Sequence, residues 1–513
     1  MRVYKTIAGL RSHLESLRAD RTIALVPTMG ALHLGHLKTI ELAVSQNDIV
    51  VVSIFVNPLQ FGPDEDLDKY PRQLEQDALA CEKIGVSLIF APTVAQLYGE
   101  DREKVTTKVL PPPEMTSVLC GKYRPGHFTG VATIVTKLLN IVRPDTAYFG
   151  KKDAQQLAII RRLVADLNLP VTIIGTPIVR ESSGLAYSSR NQYLTPEEKE
   201  IARSLFSSLL KAKIAFEAGT DNADLLMAIV LAELAKVPQV KVEYVELVDR
   251  DTLIPLKKIE AVGLLAMASY VGSTRLIDNV ILTKRKPIIA IDGPAGAGKS
   301  TVTRRLARSL GLLHLDTGAM YRGVTWLVME SDIPILDEAA IAELVATVKI
   351  ELVAASSSDL PTRVYIDGKD VTDVIRTPKV TANVSAVSAI KSVRTELVKQ
   401  QQRWGINGGI VVEGRDIGTN VFPDAELKIY LSASATERAK RRARDLSARG
   451  IKDPNLQQLE FEIQQRDYRD STRAIDPLKK AADAIEIVTD GLSVDDVTQR
   501  IVLLYRDTVE TSY

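Results

Sequence analysis

The chain has 513 residues, 45% hydrophobic and 25% charged, with 65 Lys and Arg against 64 Asp and Glu for a net charge of +1. At about 100–200 residues per domain this length supports three or four domains with sizeable cores, and the balanced charge excludes a global field that would draw nucleic acid or a membrane surface. Cys81 and Cys120 stand far apart with no CxxC neighbour, which argues against a disulfide framework or a zinc site.

The opening "MRVYKTIAGLRSHLESLRAD" mixes charged with apolar residues and holds no signal-peptide core. The longest strongly apolar runs, such as "IVVVSIFV" (49–56), are of strand length, short of the roughly 18–20 residues that a membrane helix needs. A cytoplasmic protein with no membrane partner is expected. Short β-rich runs then follow at 22–27, 49–56, 86–92, 146–150 and 171–177, separated by helix-period segments such as "HLKTIELAVSQ", "PRQLEQDALACEKIG" and "DAQQLAIIRRLVADLN". That alternation implies a parallel sheet covered on both faces. From about 195 two helical stretches, "TPEEKEIARSLFSSLLKAKIAFEAG" and "NADLLMAIVLAELAKV", precede three alternating runs, "KVEYVELVD", "EAVGLLAMASYV" and "TRLIDNVIL", which read as an α+β subdomain with a small antiparallel sheet. The first domain is thus placed at 1–282, with a nucleotide-binding part at 1–190 and the subdomain at 191–282. "TKRKP" (283–287) is a polar joint, and a second domain over 288–513 opens on "IIAID". Further strands are expected at "RVYID", "GIVVEG" and "LKIYLS", a loop at "VAASSSDLPT", and charged helices in "ERAKRRARDLSARG" and "EIQQRDYRDSTR". No internal repeat relates the halves, so the length reflects two unrelated modules.

The strand "TIALVP" runs into "TMGALHLGH" (28–36), which puts His33 and His36 at the head of a helix. Two imidazoles beside a helix N-terminus can face a nucleotide's phosphates and stabilise or protonate a pentacovalent α-phosphate. Gly35 between them leaves room for adenine or ribose. Ordinary buried histidines fit the four residues too; a two-histidine metal site lacks a nearby third ligand. The companion blocks "FVNPLQFGPDEDLDKYPR", "GKYRPGHFTGV", "PDTAYFGKKDAQQ" and "VRESSGLAYSSRNQYL" follow in the order of bacterial pantothenate synthetase, which residues 1 to about 280 resemble. The resemblance implies a Rossmann-like HxGH nucleotidyltransferase fold and the AMP-forming condensation of pantoate with β-alanine through a pantoyl-adenylate. Under it, Met29, Gly30, His33 and His36 line the ATP site, with His36 the proton donor and His33 a phosphate partner. Gly150, Lys151, Lys152 and Asp153 hold ATP, Lys152 on the phosphates and Asp153 near ribose or adenine. Val179, Tyr187, Ser188, Ser189 and Arg190 complete the pocket; Ser188, Ser189 and Arg190 receive pyrophosphate, on a mobile loop analogous to the KMSKS loop of class I tRNA synthetases. Gln60 and Gln156 are double-ended hydrogen-bonders suited to pantoate, and in the family the Gln60 equivalent is shared with β-alanine. Tyr187 stands where relatives carry Met or Leu, so a backbone contact is expected there. The family also implies a homo-oligomer, a dimer through this half.

In "IDGPAGAGKST", Gly293, Gly298, Lys299 and Ser300 satisfy GxxxxGK[ST] between a strand and an amphipathic helix. Such a loop (Gly293, Pro294, Ala295, Gly296, Ala297, Gly298, Lys299, Ser300, Thr301) aims backbone N–H groups at phosphate oxygens; Lys299 neutralises the β/γ-phosphates and Ser300 holds the metal, Mg²⁺. Downstream arginines suit a phosphotransferase. Arg438, Arg441 and Arg442 share one helix face, either as a closing lid or as a plain solvated surface. "LDTGAMYR", "NVSAVSAIKSVR", "VVEGRDIGTNVFPDAELKIYL" and "RDYRDSTRAIDPL" together resemble bacterial cytidylate kinase over nearly all of 287–513. The resemblance implies a P-loop nucleoside monophosphate kinase fold, a parallel sheet flanked by helices with NMP-binding and lid regions. It also implies phosphorylation of CMP and dCMP by ATP with Mg²⁺, with Asp316, Arg322, Ser385, Arg394, Arg415, Asp416, Arg466 and Arg473 around the acceptor. Lys391-Ser392 replaces the proline that many relatives carry before the arginine. Two other readings stay open: a different HxGH nucleotidyltransferase in the first half, or one half as a non-catalytic module. The former lacks the "SSRNxYL" and "RPGHFxGV" blocks, and the intact Lys299, Ser300, His33, His36 and Lys152 argue against the latter. The whole is α/β, with ATP, pantoate, β-alanine, CMP and dCMP as its small-molecule partners and Mg²⁺ accompanying ATP at both sites.

Overall fold

Runs of β-branched residues with no polar alternation cannot leave either face in water, and they become the centre of each sheet. The computed structural model describes residues 1–19, 21–62, 67–99, 107–353, 362–448, 454–473 and 476–508. Parts of five sequence blocks, at 20, 63–66, 354–361, 449–450 and 474–475, lie outside the described residues. The chain divides into two compact units, Met1–Lys284 and Arg285–Tyr513.

In the first unit six parallel strands run β1 (Arg2–Tyr4), β2 (Ile23–Thr28), β3 (Ile49–Ile54), β4 (Leu88–Phe90), β5 (Thr146–Gly150) and β6 (Thr172–Thr176), in the spatial order β1-β4-β3-β2-β5-β6. Strand periodicity splits the core by parity. Ile23, Leu25, Ile49 and Val51 pack beneath helices Ile7–Leu17, His127–Val142 and Ala154–Asp166. Ala24, Val26, Val50 and Val52 face Ile40, Ala43 and Cys81 of helices Leu34–Gln46 and Leu74–Ile84. The edge strand β1 and the helix His127–Val142 are additions to the elements read from the sequence. That helix buries a broad face from Phe128 to Val142 and leaves only a narrow, less buried stripe of Thr129, Thr136, Lys137 and Asn140 to mark its period.

Helices Pro196–Glu217 and Ala223–Leu234 then pack on an antiparallel sheet, β7 (Val240–Asp249), β8 (Val262–Val271) and β9 (Thr274–Thr283), through Leu205, Leu209, Leu226, Val230, Leu265 and Met267. The first of these helices starts with a capping box between Thr195 and Glu198. The unit is a Rossmann-like domain with a small α+β subdomain.

The second unit is built on β10 (Ile288–Asp292) and β11 (Leu313–Asp316), joined by β15 (Ile410–Gly414), β16 (Leu427–Ser432) and β17 (Ile485–Val488) in the parallel order β11-β15-β10-β16-β17. Helices Lys299–Leu310 and Val494–Thr508 cover one face through Val302, Leu306, Val497 and Ile501. A smaller antiparallel sheet, β12 (Ile350–Val353), β13 (Arg363–Ile366) and β14 (Lys369–Asp370), shares a separate core with Met320, Val324, Ile341 and Val393. Among the described residues no helix is long and apolar enough to cross a membrane.

Helix His127–Val142 approaches the Pro58–Gln60 turn so closely that a Cβ on Gly130 would lie 2.1 Å from the Leu59 carbonyl oxygen. Gly130→Ala should therefore destabilise the first unit by about 1–3 kcal/mol, as overpacking does. Calorimetry should show the shift in that unit's melting transition; an unmoved transition would mean that the turn yields freely.

Candidate active sites

In the first unit the segment after β2 turns through two left-handed residues, Gly30 (φ +82°) and Ala31 (φ +51°). Asp77, buried on helix Leu74–Ile84, accepts from the backbone N–H groups of Ala31 and Leu32 at 2.9 Å each. Met29 is half-buried in the same turn. His33 then caps helix Leu34–Gln46: its Nδ1 accepts from Gly35 N at 3.1 Å, and His36 Nδ1 accepts a longer bond, 3.5 Å, from His33 N. With both Nδ1 atoms accepting, a neutral ring carries its proton on Nε2, where it can donate. The rings stack at 3.9 Å. What Gly35 makes room for here is the His33 ring itself, 2.9 Å from where a Cβ would sit. Burial first, then the His36 ring and the Lys152 charge, lower His33 to a pKa of about 3, and burial followed by Lys152 lowers His36 to about 4. Both imidazoles are neutral at pH 7, so His36 enters any reaction as an N–H hydrogen-bond donor rather than as an imidazolium.

The other loops converge on this turn. Gly150 ends β5, Lys151–Asp153 form a single 3₁₀ turn, and helix Ala154–Asp166 follows. Val179 accepts from Tyr187 N at 3.0 Å, and the Tyr187 ring stacks on His33 at 6.2 Å. Ser188 caps the Ser189–Tyr193 turn. Ser189 Oγ donates to Ala31 O at 3.3 Å and thus ties this turn to the histidine loop. A small cavity of about 80 Å³ gathers Lys152, Asp153, Gln156, Ser188 and Arg190 together with Arg124 and His127. Gln60 does not line it. Its side-chain oxygen accepts from Asn57 Nδ2 at 3.0 Å, and its carbonyl accepts from His127 Nδ1 at 2.7 Å. Asn57 is itself held by Tyr98 and Gly130. Asn57, Asp77, Arg124 and His127 were not singled out from the sequence. The last two sit inside the "RPGHF" block, whereas Asp77 carries no local signal.

In the second unit β10 delivers the glycine loop. Gly293 (φ +148°), Gly296 (φ +79°) and Gly298 (φ +90°) adopt backbone that other residues avoid, and a Cβ on Gly293 would meet Leu431 O at 2.0 Å. Lys299 is buried, and its Nζ donates to Gly293 O (2.6 Å) and Pro294 O (2.8 Å). Burial and then Arg415 push it well below the ordinary lysine value. Ser300 Oγ donates to Glu413 Oε2 at 2.6 Å, while His314 Nε2 lies 2.9 Å from Glu413 Oε1. Glu413, the last residue but one of β15 beside the "GRD" turn, was missed. Asp292, also missed, accepts from Ile417 N and Gly418 N (2.8 and 2.7 Å) and so shapes that turn; burial outweighs the two donors and raises it to about 6.

Facing the loop is a cleft of about 1070 Å³ lined by Ala295, Gly296, Ala297, Gly298, Lys299, Ser300 and Thr301 and by all eight acceptor-side residues, Asp316, Arg322, Ser385, Arg394, Arg415, Asp416, Arg466 and Arg473. Gly293 and Pro294 lie behind it as the carbonyl acceptors of Lys299. The cations are held in pairs: Arg322 with Asp316 (3.0 Å), Arg415 with Asp470 (3.0 Å), and Arg394 with both Asp416 and Asp476, the latter at 2.8 Å. Burial pushes Asp416 up, but Arg394 and Arg473 outweigh it and hold it below the ordinary carboxylate value. Arg466 is lowered by burial and by Arg415, and its Nε has no hydrogen-bond partner among the described residues. Arg438, Arg441 and Arg442 all line the cleft, though unequally. Arg438 is buried and braced on Ala295 O (3.2 Å) and Asp467, Arg441 reaches the Thr489 carbonyl at 2.7 Å, and Arg442 is exposed.

Residues 2–281 match the profile of the pantoate-beta-alanine ligase family and residues 289–507 that of cytidylate kinase. The chain is 56% identical to the bifunctional pantoate ligase/cytidylate kinase of Trichormus variabilis, over 99% of each chain, and 55% identical to that of Synechocystis sp., again over 99% of each. Its fold is similar to a crystal structure of the pantothenate synthetase of Thermus thermophilus, at 43% identity and a TM-score of 0.52, covering 55% of this chain and 99% of that one. On these grounds the chain belongs to the family of bifunctional pantoate ligase/cytidylate kinases.

Proposed function

We propose that the first unit makes pantothenate through a pantoyl-adenylate and that the second phosphorylates both CMP and dCMP. A carboxylate does not acylate an amine near neutral pH because its oxygen is a poor leaving group. In the reading offered here a pantoate carboxylate oxygen attacks the α-phosphorus of ATP and pyrophosphate departs. The β-alanine amine then attacks the mixed-anhydride carbonyl and AMP departs. The arrangement that carries this reading is the pair of stacked neutral imidazoles, their Nε2–H donors at a helix N-terminus within the field of Lys152. His33 and His36 donate to α-phosphate oxygens, Lys152 and Arg190 offset the growing phosphate charge, and Ser188 and Ser189 receive pyrophosphate. Met29, Gly30, Gly150, Lys151, Asp153, Val179 and Tyr187 frame the nucleotide, while Gln60 and Gln156 take pantoate, with Gln60 shared with β-alanine.

In the second unit Lys299 and the loop amides hold the ATP phosphates, and the paired arginines exchange carboxylate partners for the acceptor phosphate as it enters. Asp416 and Arg473 face the sugar, whose 2′-position distinguishes CMP from dCMP. The hydroxyl of Ser300 and the carboxylate of Glu413 are hard oxygen donors that fit Mg²⁺. When bound with ATP, Mg²⁺ supplies charge neutralisation at the β- and γ-phosphates. We further propose that the chain assembles as a homo-oligomer through its first unit.

Lys299→Ala should abolish CMP-dependent ADP release while leaving pantoate- and β-alanine-dependent AMP release intact, and His36→Ala should cost the ligase about 10²–10³-fold with the kinase unaffected. Loss of both activities in either variant would refute independent sites. A second outcome concerns acid. The folded values of about 3 and 4 for His33 and His36 lie below their ordinary 6.5, so between pH 6.5 and about 4 the unfolded chain binds protons that the folded chain does not. The first unit should thus lose stability as pH falls through that window. A His33→Asn/His36→Asn chain should lose less in pH-dependent melting; an identical slope would place the sensitivity elsewhere.

A further inference from the structure

Two adjacent residues of β9, Asp278 and Asn279, have no part in the chemistry above, yet each ties down one loop of the first unit's nucleotide site. Both are almost fully buried, 3% and 4% exposed. Asn279 Nδ2 donates to the carbonyls of Lys151 (3.1 Å) and Lys152 (2.9 Å). A side-chain amide carries two N–H groups on one atom and can satisfy both; a carboxylate would meet them as an acceptor facing acceptors. Asp278 takes the Arg180 guanidinium in a fork, 2.6 and 2.9 Å, and accepts from Asn279 N at 2.8 Å. Arg180 also donates to Gly184 O at 3.1 Å and lies 3.7 Å over the Phe206 ring. That fixes the Arg180–Ala186 bridge, immediately beyond which run Tyr187 to Arg190.

The loops after β5 and β6 leave the Rossmann sheet separately, and the Lys151–Asp153 turn is only three residues long, too short to set its own direction. One dipeptide from the neighbouring subdomain contacts both. We infer that Asn279 is the positioning residue for Lys152 and Asp278 the positioning residue for the Tyr187–Arg190 segment, so that β9 presets the phosphate-binding side of the adenylation site. The inference rests on the reading of this pocket as the place where pantoate is adenylated.

The test uses the full chain, with pantoate-dependent exchange of pyrophosphate into ATP as the readout of adenylation. Asn279→Ala and the isosteric Asn279→Asp each remove the donor that two half-buried carbonyls share. Either should raise the KM for ATP in the exchange about ten-fold or more, with the KM for β-alanine in the overall reaction changed less than about two-fold. The first unit's melting transition should persist, and CMP-dependent ADP release should be unchanged. Should Asn279→Ala fail to fold, Asp278→Asn, which keeps size but removes the charge facing Arg180, should raise the same KM about three-fold. ATP KM values within about two-fold of the parent in folded variants would overturn the inference. A proportional rise for ATP and β-alanine, with a collapsed melting transition, would also overturn it, by showing a general structural loss. A parent chain that shows no pantoate-dependent exchange would instead remove the adenylate reading beneath it.

Discussion

Everything in both units is arranged around one constraint: a parallel strand ends, a helix begins, and the first backbone N–H groups of that helix have no partner inside it. At β2 and helix Leu34–Gln46 the donor is passed outward. Gly35 N–H is taken by His33 Nδ1, which leaves the ring's Nε2–H as a donor further from the backbone. At β10 and helix Lys299–Leu310 the glycine loop presents its own backbone, and close approach to Leu431 O allows only glycine at 293. The same terminus thus presents imidazoles in one unit and backbone amides in the other. Short polar arms suit a reaction at a crowded α-phosphorus; a smooth cradle suits a chain held so that its far end can leave.

The second consequence is electrostatic. Concentrating cations in a partly dry cleft is costly unless each has a counter-charge. The kinase cleft meets this in part with carboxylates: Asp316, Asp416, Asp467, Asp470 and Asp476 each hold one or more guanidinium groups. The ligase site solves it differently, by keeping both histidines uncharged through burial and the Lys152 field.

How much of this could be read from the residues alone follows from the range of the interactions. Strand–helix alternation was legible because buried parallel strands are continuous β-branched runs, such as β3, and because their covering helices keep an amphipathic period. Helix His127–Val142 shows its period only in a narrow stripe of Thr129, Thr136, Lys137 and Asn140 beside a broad buried face, and three-residue β1 is too short to register. In the sites, residues set by local backbone geometry stood out: the two histidines around Gly35, the glycines at 293, 296 and 298. Residues whose work depends on distant partners did not. Asp77 serves a loop 45 positions earlier, Glu413 meets Ser300 across 113, and Asn279 reaches Lys152 across 127. Arg438 shows the converse. Helical spacing put it on a shared face with Arg441 and Arg442, and only the fold shows it buried against Ala295 O, bracing the loop, while Arg442 remains exposed.

The central claim is that the two units attack ATP at different phosphorus atoms, the α atom in the first and the γ atom in the second. The most direct measurement gives the intact chain pantoate labelled with ¹⁸O in its carboxylate, together with ATP and β-alanine, and follows the label by ³¹P NMR and mass spectrometry. The account predicts one ¹⁸O atom in the phosphate of AMP and none in pyrophosphate. Label appearing in inorganic phosphate or pyrophosphate, with AMP unlabelled, would contradict it.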